Sequence, residues 1–416
     1  MTYKNTEEFS LQLDENDELK HYRNEFSIPL QKNGEEHVYL CGNSLGLQAK
    51  RTKSFINQEL EDWATFGVEG HFHAKNPWMP YHEFLTESYS KIVGSKQSEV
   101  VAMNTLTVNL HLMMVSFYRP TKNRYKIIIE ADAFPSDIYA VESQIKYHGY
   151  SVNHSLIKLT PRDGESSIRT EDIAEIIDRE GNEIALIMLG GVNYYTGQVF
   201  DFETITKLGK YKGIVVGFDL AHAAGNIKLE LHNWGVDFAV WCSYKYLNSG
   251  PGSVAGAFVH EKHHNSDLPR FAGWWGHNKE NRFKMPDEFN AIKSAEGWQL
   301  SNPPILSLAA IRASLSIFDE VGMDKLVAKS KKLTDYLLFL LNIIETDRIE
   351  IITPEERGCQ ISIRVKNGNK ELFDKITEKG VIADWREPDV IRVAPVPLYN
   401  SFSDVFNFYN ILKEVI

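Results

Sequence analysis

From about residue 50 to residue 301 the chain alternates two hydrophobic rhythms. Short runs rich in β-branched residues, YKIIIE (125–130), IALIMLG (184–190), GIVVGFDL (213–220), VDFAVWCS (236–243) and VAGAFVH (254–260), are separated by segments with apolar residues at helical spacing. Runs that are apolar on both faces belong in a sheet covered on both sides. Their alternation with amphipathic helices predicts βαβ units and a mostly parallel sheet. After SNPPILSLAA (301–310), where two prolines interrupt any helix, the pattern changes. Long helices are expected over about 305–320 and 323–345, followed by separated strands and helices to residue 416. The fold class is therefore α/β, with a mostly parallel central sheet between helices and a smaller α+β C-terminal domain. Its expected division is an N-terminal segment (1–49) packing on the small domain, a large domain (50–301) and the small domain (302–416).

Composition narrows the picture. A chain of 416 residues with 43% hydrophobic content can bury a substantial core in two domains. A formal net charge of −11, with no concentrated Lys/Arg run, excludes the basic footprint of a nucleic-acid binder. The longest strongly apolar run, LLFLL (337–341), falls far short of the roughly 18 to 20 residues a membrane helix needs. The opening MTYKNTEEFSLQLDENDELK lacks the basic-then-apolar pattern of a secretory signal and is too acidic for a transit peptide, so a soluble cytoplasmic protein is expected. Cys41, Cys242 and Cys359 are widely spaced and form no CxxC pair, which suggests neither a disulfide framework nor a zinc site.

Candidate chemistry begins with SYKYLNSGPG (243–252), where Lys245 follows a run that reads as sheet interior. A lysine there can carry a carbonyl cofactor as a Schiff base, or can simply snorkel to the surface at a strand end. In GFDLAHAAGN (217–226) Asp219 closes an apolar strand and His222 follows it. Ligands of open parallel sheets bind outside the carboxyl ends of strands, where Asp219 lies. The interval to Lys245 accommodates a helix and one further strand, so both side chains can emerge at one edge. Pyridoxal chemistry needs this pair, an amine for the aldehyde and a carboxylate for the ring nitrogen. Asp219 is equally suited to capping a helix, and His222 to a hydrogen-bonded place in the core.

A phosphate seat is offered by MNTLTVNLHLMM (103–114), where Thr105 and Thr107 precede an apolar helical pattern. ADAFPSD (131–137) places Phe134 in a loop at the same edge, where a ring can stack on a flat cofactor. FAGWWGH (271–277) has two adjacent tryptophans of the kind found at interfaces and pocket walls. Arg392 interrupts the apolar run VIRVAPVPLYN (390–400), either to grip a substrate carboxylate or to form a surface ion pair.

Taken in order, GNSLGL (42–47), MNTLTVNLHL, AFPSD, GQVF, VGFDLAHAAGN, WGVDFAVWCSYKYLNSGPG, AGAFVHEKH, GWWGH, RFKM, SNPPIL, ERGCQ and RVAPVPLYNSF resemble the kynureninase family over nearly the whole chain. The resemblance implies pyridoxal-phosphate-dependent fold type I, the aspartate aminotransferase fold, with Lys245 as Schiff-base lysine and base at the substrate Cα. It implies Asp219 against the pyridine nitrogen with His222 beside it. Phe134 is implied on the ring, with Pro135, Ser136 and Asp137 completing that loop. Leu106, Thr107 and Tyr244 are implied at the phosphate, joined by Trp274 and Asn302 from the facing subunit of a homodimer. Arg392 is implied at the substrate α-carboxylate, and Tyr244 as a proton shuttle. Relatives often carry serine where this chain has Gly190.

The implied reaction is hydrolysis of the Cβ–Cγ bond of kynurenine or 3-hydroxykynurenine to anthranilate or 3-hydroxyanthranilate and L-alanine. His71, Ser301 and Asn302 resemble the polar set of members that favour the hydroxylated substrate. A cysteine desulfurase would need a nucleophilic cysteine, and Cys359 is expected to pack instead. An aminotransferase or a catalytically silent relative are the other readings, the last opposed by the joint presence of Lys245, Asp219, His222, Tyr244 and Arg392.

Overall fold

The computed structural model describes residues 2–416. Seven strands form the large sheet: β1 (Val100–Ala102), β2 (Lys126–Glu130), β3 (Leu156–Leu159), β4 (Ile184–Gly190), β5 (Val215–Asp219), β6 (Phe238–Trp241) and β7 (Gly256–Val259). Their order across the sheet is β1-β7-β6-β5-β4-β2-β3. Strands β2 to β6 pair in parallel, whereas β7 runs antiparallel to both β6 and β1. The VAGAFVH run thus departs from the parallel expectation for a physical reason. A parallel return needs a crossover, usually a helix, and the residues between β6 and β7 form turns around Gly250, Pro251 and Gly252.

Burial on both faces is visible within a single strand. Ile127 and Ile129 join one core cluster with Leu110, Met113 and Ile145, while Ile128 between them joins the opposite cluster with Ile187 and Val216. Each fully buried aliphatic side chain of this kind contributes about 1.5–3 kcal/mol. Observed strands are mostly shorter than the apolar runs, whose ends leave the hydrogen-bonded ladder but stay buried, as at Leu220, Val236, Cys242 and Val254.

Around the sheets lie α1 (Glu7–Glu15), α2 (Thr52–Phe66), α3 (Leu106–Phe117), α4 (Pro135–Tyr147), α5 (Ile305–Val321), α6 (Met323–Asn342) and α7 (Phe402–Val415), among shorter helices. The double proline begins α5 instead of interrupting it, with Pro304 at the N-cap, where a missing N–H costs nothing. A second sheet of four antiparallel strands, β8 (Ile349–Ile351), β9 (Ile361–Val365), β10 (Asp384–Arg386) and β11 (Val390–Val393), packs with α6 and α7 around Leu337, Leu340, Ile363 and Phe408. Helix α1 is tied to this unit. The Asp14 carboxylate accepts from the Phe402 N–H at 2.6 Å and the Ser403 N–H at 3.0 Å, capping α7, and Asp17 pairs with buried Lys329 at 2.7 Å. Among the described residues no helix is long and apolar enough to cross a membrane.

Candidate active site

Strands β2, β4 and β5 end side by side at Glu130, Gly190 and Asp219, and β6 runs on to the segment carrying Tyr244 and Lys245. A cavity opens at this edge. Leu106, Thr107, Phe134, Ser136, Asp137, Asp219, His222, Tyr244 and Lys245 all line it, so most of the side chains singled out in the sequence converge. Pro135, beside them, is the first residue of α4, a position for which its fixed φ is suited.

The lysine is held by its peptide and reaches in by its side chain. The Tyr244 carbonyl accepts from the Gly46 N–H at 2.8 Å, and the Lys245 carbonyl accepts from the Asn248 N–H at 3.0 Å. A Cβ at Gly46 would collide with the Lys245 carbonyl oxygen and with Asn248, so the GNSLGL motif serves close backbone approach. Lys245 Nζ lies 3.0 Å from His222 Nε2 and 5.8 Å from the Phe134 ring centroid. Phe134 is the N-cap residue of α4, not a free loop residue, and its half-exposed ring meets Tyr194 edge-on at 5.3 Å.

The phosphate seat differs in one detail from the expectation that both threonines precede the helix. Thr105 is the N-cap of α3 and makes no side-chain capping bond, while Thr107 lies inside the first turn. Its hydroxyl is 2.7 Å from that of Ser136. Backbone N–H groups of the first helical turn have no intrahelical acceptors, which suits them to an anion.

Electrostatics at the cavity floor follow from burial. Asp219 is 6% exposed, accepts from the Ala221 N–H at 2.7 Å, and has its pKa raised by desolvation. Desolvation, then the Asp219 charge, pushes Asp137 well above the usual carboxylate range. His222 is driven well below the ordinary imidazole range by desolvation and then by Lys245, so it is neutral, and its buried Nδ1 has no partner. Burial also raises the Tyr244 phenol.

Arg392 is buried, not the surface ion pair that its sequence setting also allowed. Its guanidinium donates to Asp384 and, at 2.7 Å, to the Tyr194 carbonyl, while Nε has no partner. Tyr194 places it next to the cavity. Arg392 and Pro135 lie beside the cavity without lining it, and four further picked residues are not part of it: Trp274, Ser301 and Asn302 are exposed, and His71 Nδ1 is engaged with the Val68 carbonyl at 2.9 Å. Trp274 instead belongs to a separate surface groove with Met285 and Phe289. Sequence reasoning missed Glu130 and Tyr194, both of which line the cavity. The signal for Glu130 was present, since YKIIIE ends in an acid at the same edge as GIVVGFD. Cys359 is fully buried and its thiol pushed up to about 12 by desolvation, so it has neither the access nor the ionisation of a desulfurase nucleophile.

Solved structures share this architecture at low identity. A cysteine desulfurase from Thermococcus onnurineus superimposes with a TM-score of 0.78 at 16% identity, covering 95% of this chain and 98% of that one. A C-DES variant carrying glycine covalently linked to its PLP cofactor gives 0.77 at 14% identity, covering 90% and 96%. With the lysine, the buried aspartate and the helix N-terminus facing one cavity, the fold defines a pyridoxal-phosphate-dependent enzyme of fold type I. Proteins called kynureninase are similar over full length: 57% identity over 421 residues in Flavobacterium psychrophilum (100% of this chain, 99% of that one) and 58% over 410 in Koribacter versatilis (98% and 97%). The relative from Nematostella vectensis is 47% identical over 432 residues (98% and 93%), and a family model for the kynureninase C-terminal domain matches residues 326–412. The chain belongs to the kynureninase family.

The side chains at the cavity fit pyridoxal phosphate. An amine, a half-exposed aromatic face, a buried carboxylate and an uncapped helix N-terminus match its aldehyde, ring, ring nitrogen and phosphate, and the unpartnered His222 Nδ1 offers a further polar contact.

Proposed function

We propose that this chain hydrolyses the Cβ–Cγ bond of L-kynurenine or 3-hydroxy-L-kynurenine, giving anthranilate or 3-hydroxyanthranilate and L-alanine in tryptophan breakdown. The observation that carries the reading is the convergence of Lys245 and Asp219 on one cavity in a chain of this family. When bound, pyridoxal phosphate supplies the electron sink for charge released on the substrate carbons. Lys245 holds its aldehyde and moves the proton at the substrate Cα. Asp219, whose charged form the Ala221 N–H and Lys245 favour, holds the proton on the ring nitrogen. Phe134 covers the ring, while Leu106, Thr107 and Ser136 receive the phosphate. Tyr244 keeps its proton at working pH and can hand it to a departing carbon. Arg392 binds the substrate carboxylate, Nε being its nitrogen with no partner.

The functional unit in this reading is a cytoplasmic homodimer, in which Trp274 and Asn302 complete the neighbouring subunit's phosphate site and Ser301, Asn302 and His71 face the substrate's ring hydroxyl. Support comes from the exposed aromatic pair Trp274 and Phe283, whose rings meet edge-on at 5.3 Å. Within each subunit the large domain extends over 50–301 and the small one over 302–416, and the segment 1–49 packs on the small one through α1, while its Phe26, Leu47 and Ala49 join the core of the large sheet.

The test is release of anthranilate and of 3-hydroxyanthranilate by protein supplied with pyridoxal phosphate. Cleavage of both is expected, with the higher kcat/KM on 3-hydroxykynurenine. Preference for plain kynurenine would reject the role of His71, Ser301 and Asn302. Cleavage of neither would reject the function.

A further inference from the structure

Glu130 ends β2 as Asp219 ends β5, with its carboxyl buried at 2% exposure in the wall of the active-site cavity. Among the described residues it makes no ion pair. Its contact is the Gly190 N–H, which donates at 3.0 Å to Oε1 and 3.3 Å to Oε2. Gly190 ends β4, the strand lying between β2 and β5. A Cβ at Gly190 would stand 2.8 Å from Glu130 Oε1, so the missing side chain is what lets the carboxyl lie across β4 toward Asp219. Glu130 also lines an adjoining cavity, shared with Asp132, Glu165 and Arg364.

We infer that Glu130 is a positioning residue whose charge, brought across Gly190, sets how tightly Asp219 and the cationic groups of the cofactor site hold their protons. This deepens the proposed cofactor reading and rests on it. Facing groups come from every side: Asp132 on the turn after β2, Asp137 on α4, Asp219 on β5, His222 and Lys245 across the cavity, and Glu165 and Arg364 from the adjoining one. Desolvation, reinforced by Asp219 and Asp132, lifts Glu130 to about 7, so its charge changes in the neutral range. As an anion it favours the protonated forms of neighbouring nitrogens. A glutamine of the same shape keeps the bond from Gly190 and removes that field.

The experiment follows the visible absorbance of the bound cofactor in holoenzyme, from mildly acid to mildly alkaline pH, in wild type, Glu130→Gln and Glu130→Asp. In Glu130→Gln the transition is expected about one pH unit lower, the effect of one interior unit charge a short distance away. Glu130→Asp, still charged, is expected close to wild type, which a purely packing role does not predict. Gly190→Ala pushes the carboxyl aside and is expected to shift the transition in the same direction, covering the case in which Glu130→Gln does not fold. Coloured, active variants titrating like wild type would overturn the inference and leave the cofactor reading intact. A wild-type protein that takes up no cofactor would overturn both.

Discussion

Charge at the cavity floor is decided by which carboxyls share a proton. Asp137 and Asp219 are buried together, and desolvation works against two adjacent anions, so both are raised, while the Ala221 N–H and Lys245 favour the charge on Asp219. Replacing Asp219 by Asn preserves shape and removes that charge. The expected outcome is protein that still binds the cofactor but loses about 10²- to 10³-fold in kcat, the usual cost of removing one preorganised electrostatic contact. Steady-state kinetics beside the cofactor absorbance check this, and an unchanged kcat would refute the role of Asp219. Lys245, Asp219 and His222 were legible in the sequence because each stands out chemically within or just after an apolar run. Glu130 was less so. An acid at a strand end reads as the place where the chain meets solvent, and only the neighbouring Gly190 turns it inward.

At the level of elements, the lysine segment depends on parts of the chain remote in sequence. Gly46 donates to the Tyr244 carbonyl, and the Ser314 hydroxyl on α5 donates to that of Leu247. Gly46→Ala drives a methyl group into the Lys245 carbonyl, and overpacking of this kind costs about 1–3 kcal/mol. A lower Tm with weaker cofactor retention is expected from thermal unfolding and equilibrium dialysis, and wild-type values for both would refute the close-approach role. Strand existence was readable because buried strands need apolar residues on both faces. The direction of β7 was not, since it depends on whether the connection carries a helix, and SYKYLNSGPG gives turns.

For the molecule as a whole, the proposed dimer makes each site a joint product of two chains. Lys245→Ala removes the amine of its own site, whereas Trp274→Ala with Asn302→Ala damages the site opposite. Each variant alone is expected to be nearly inactive, and mixed dimers should recover up to about half of wild-type turnover, because one of their two sites then has no defect. Absence of recovery in verified mixed dimers would refute shared sites. Trp274 and Asn302 lie outside the single-chain cavity; the tryptophan pair of FAGWWGH marked an interface or pocket wall, and the family resemblance alone pointed to Asn302. The same molecule also fixes the root of its reactive amine from three directions, through the turn of Asn248, the glycine of the first fifty residues and a helix of the C-terminal region. Lys245 thus works like a tethered arm on a bolted shoulder: its methylenes can swing between bonding partners by rotamer changes, far faster than turnover, while the peptide stays where it is.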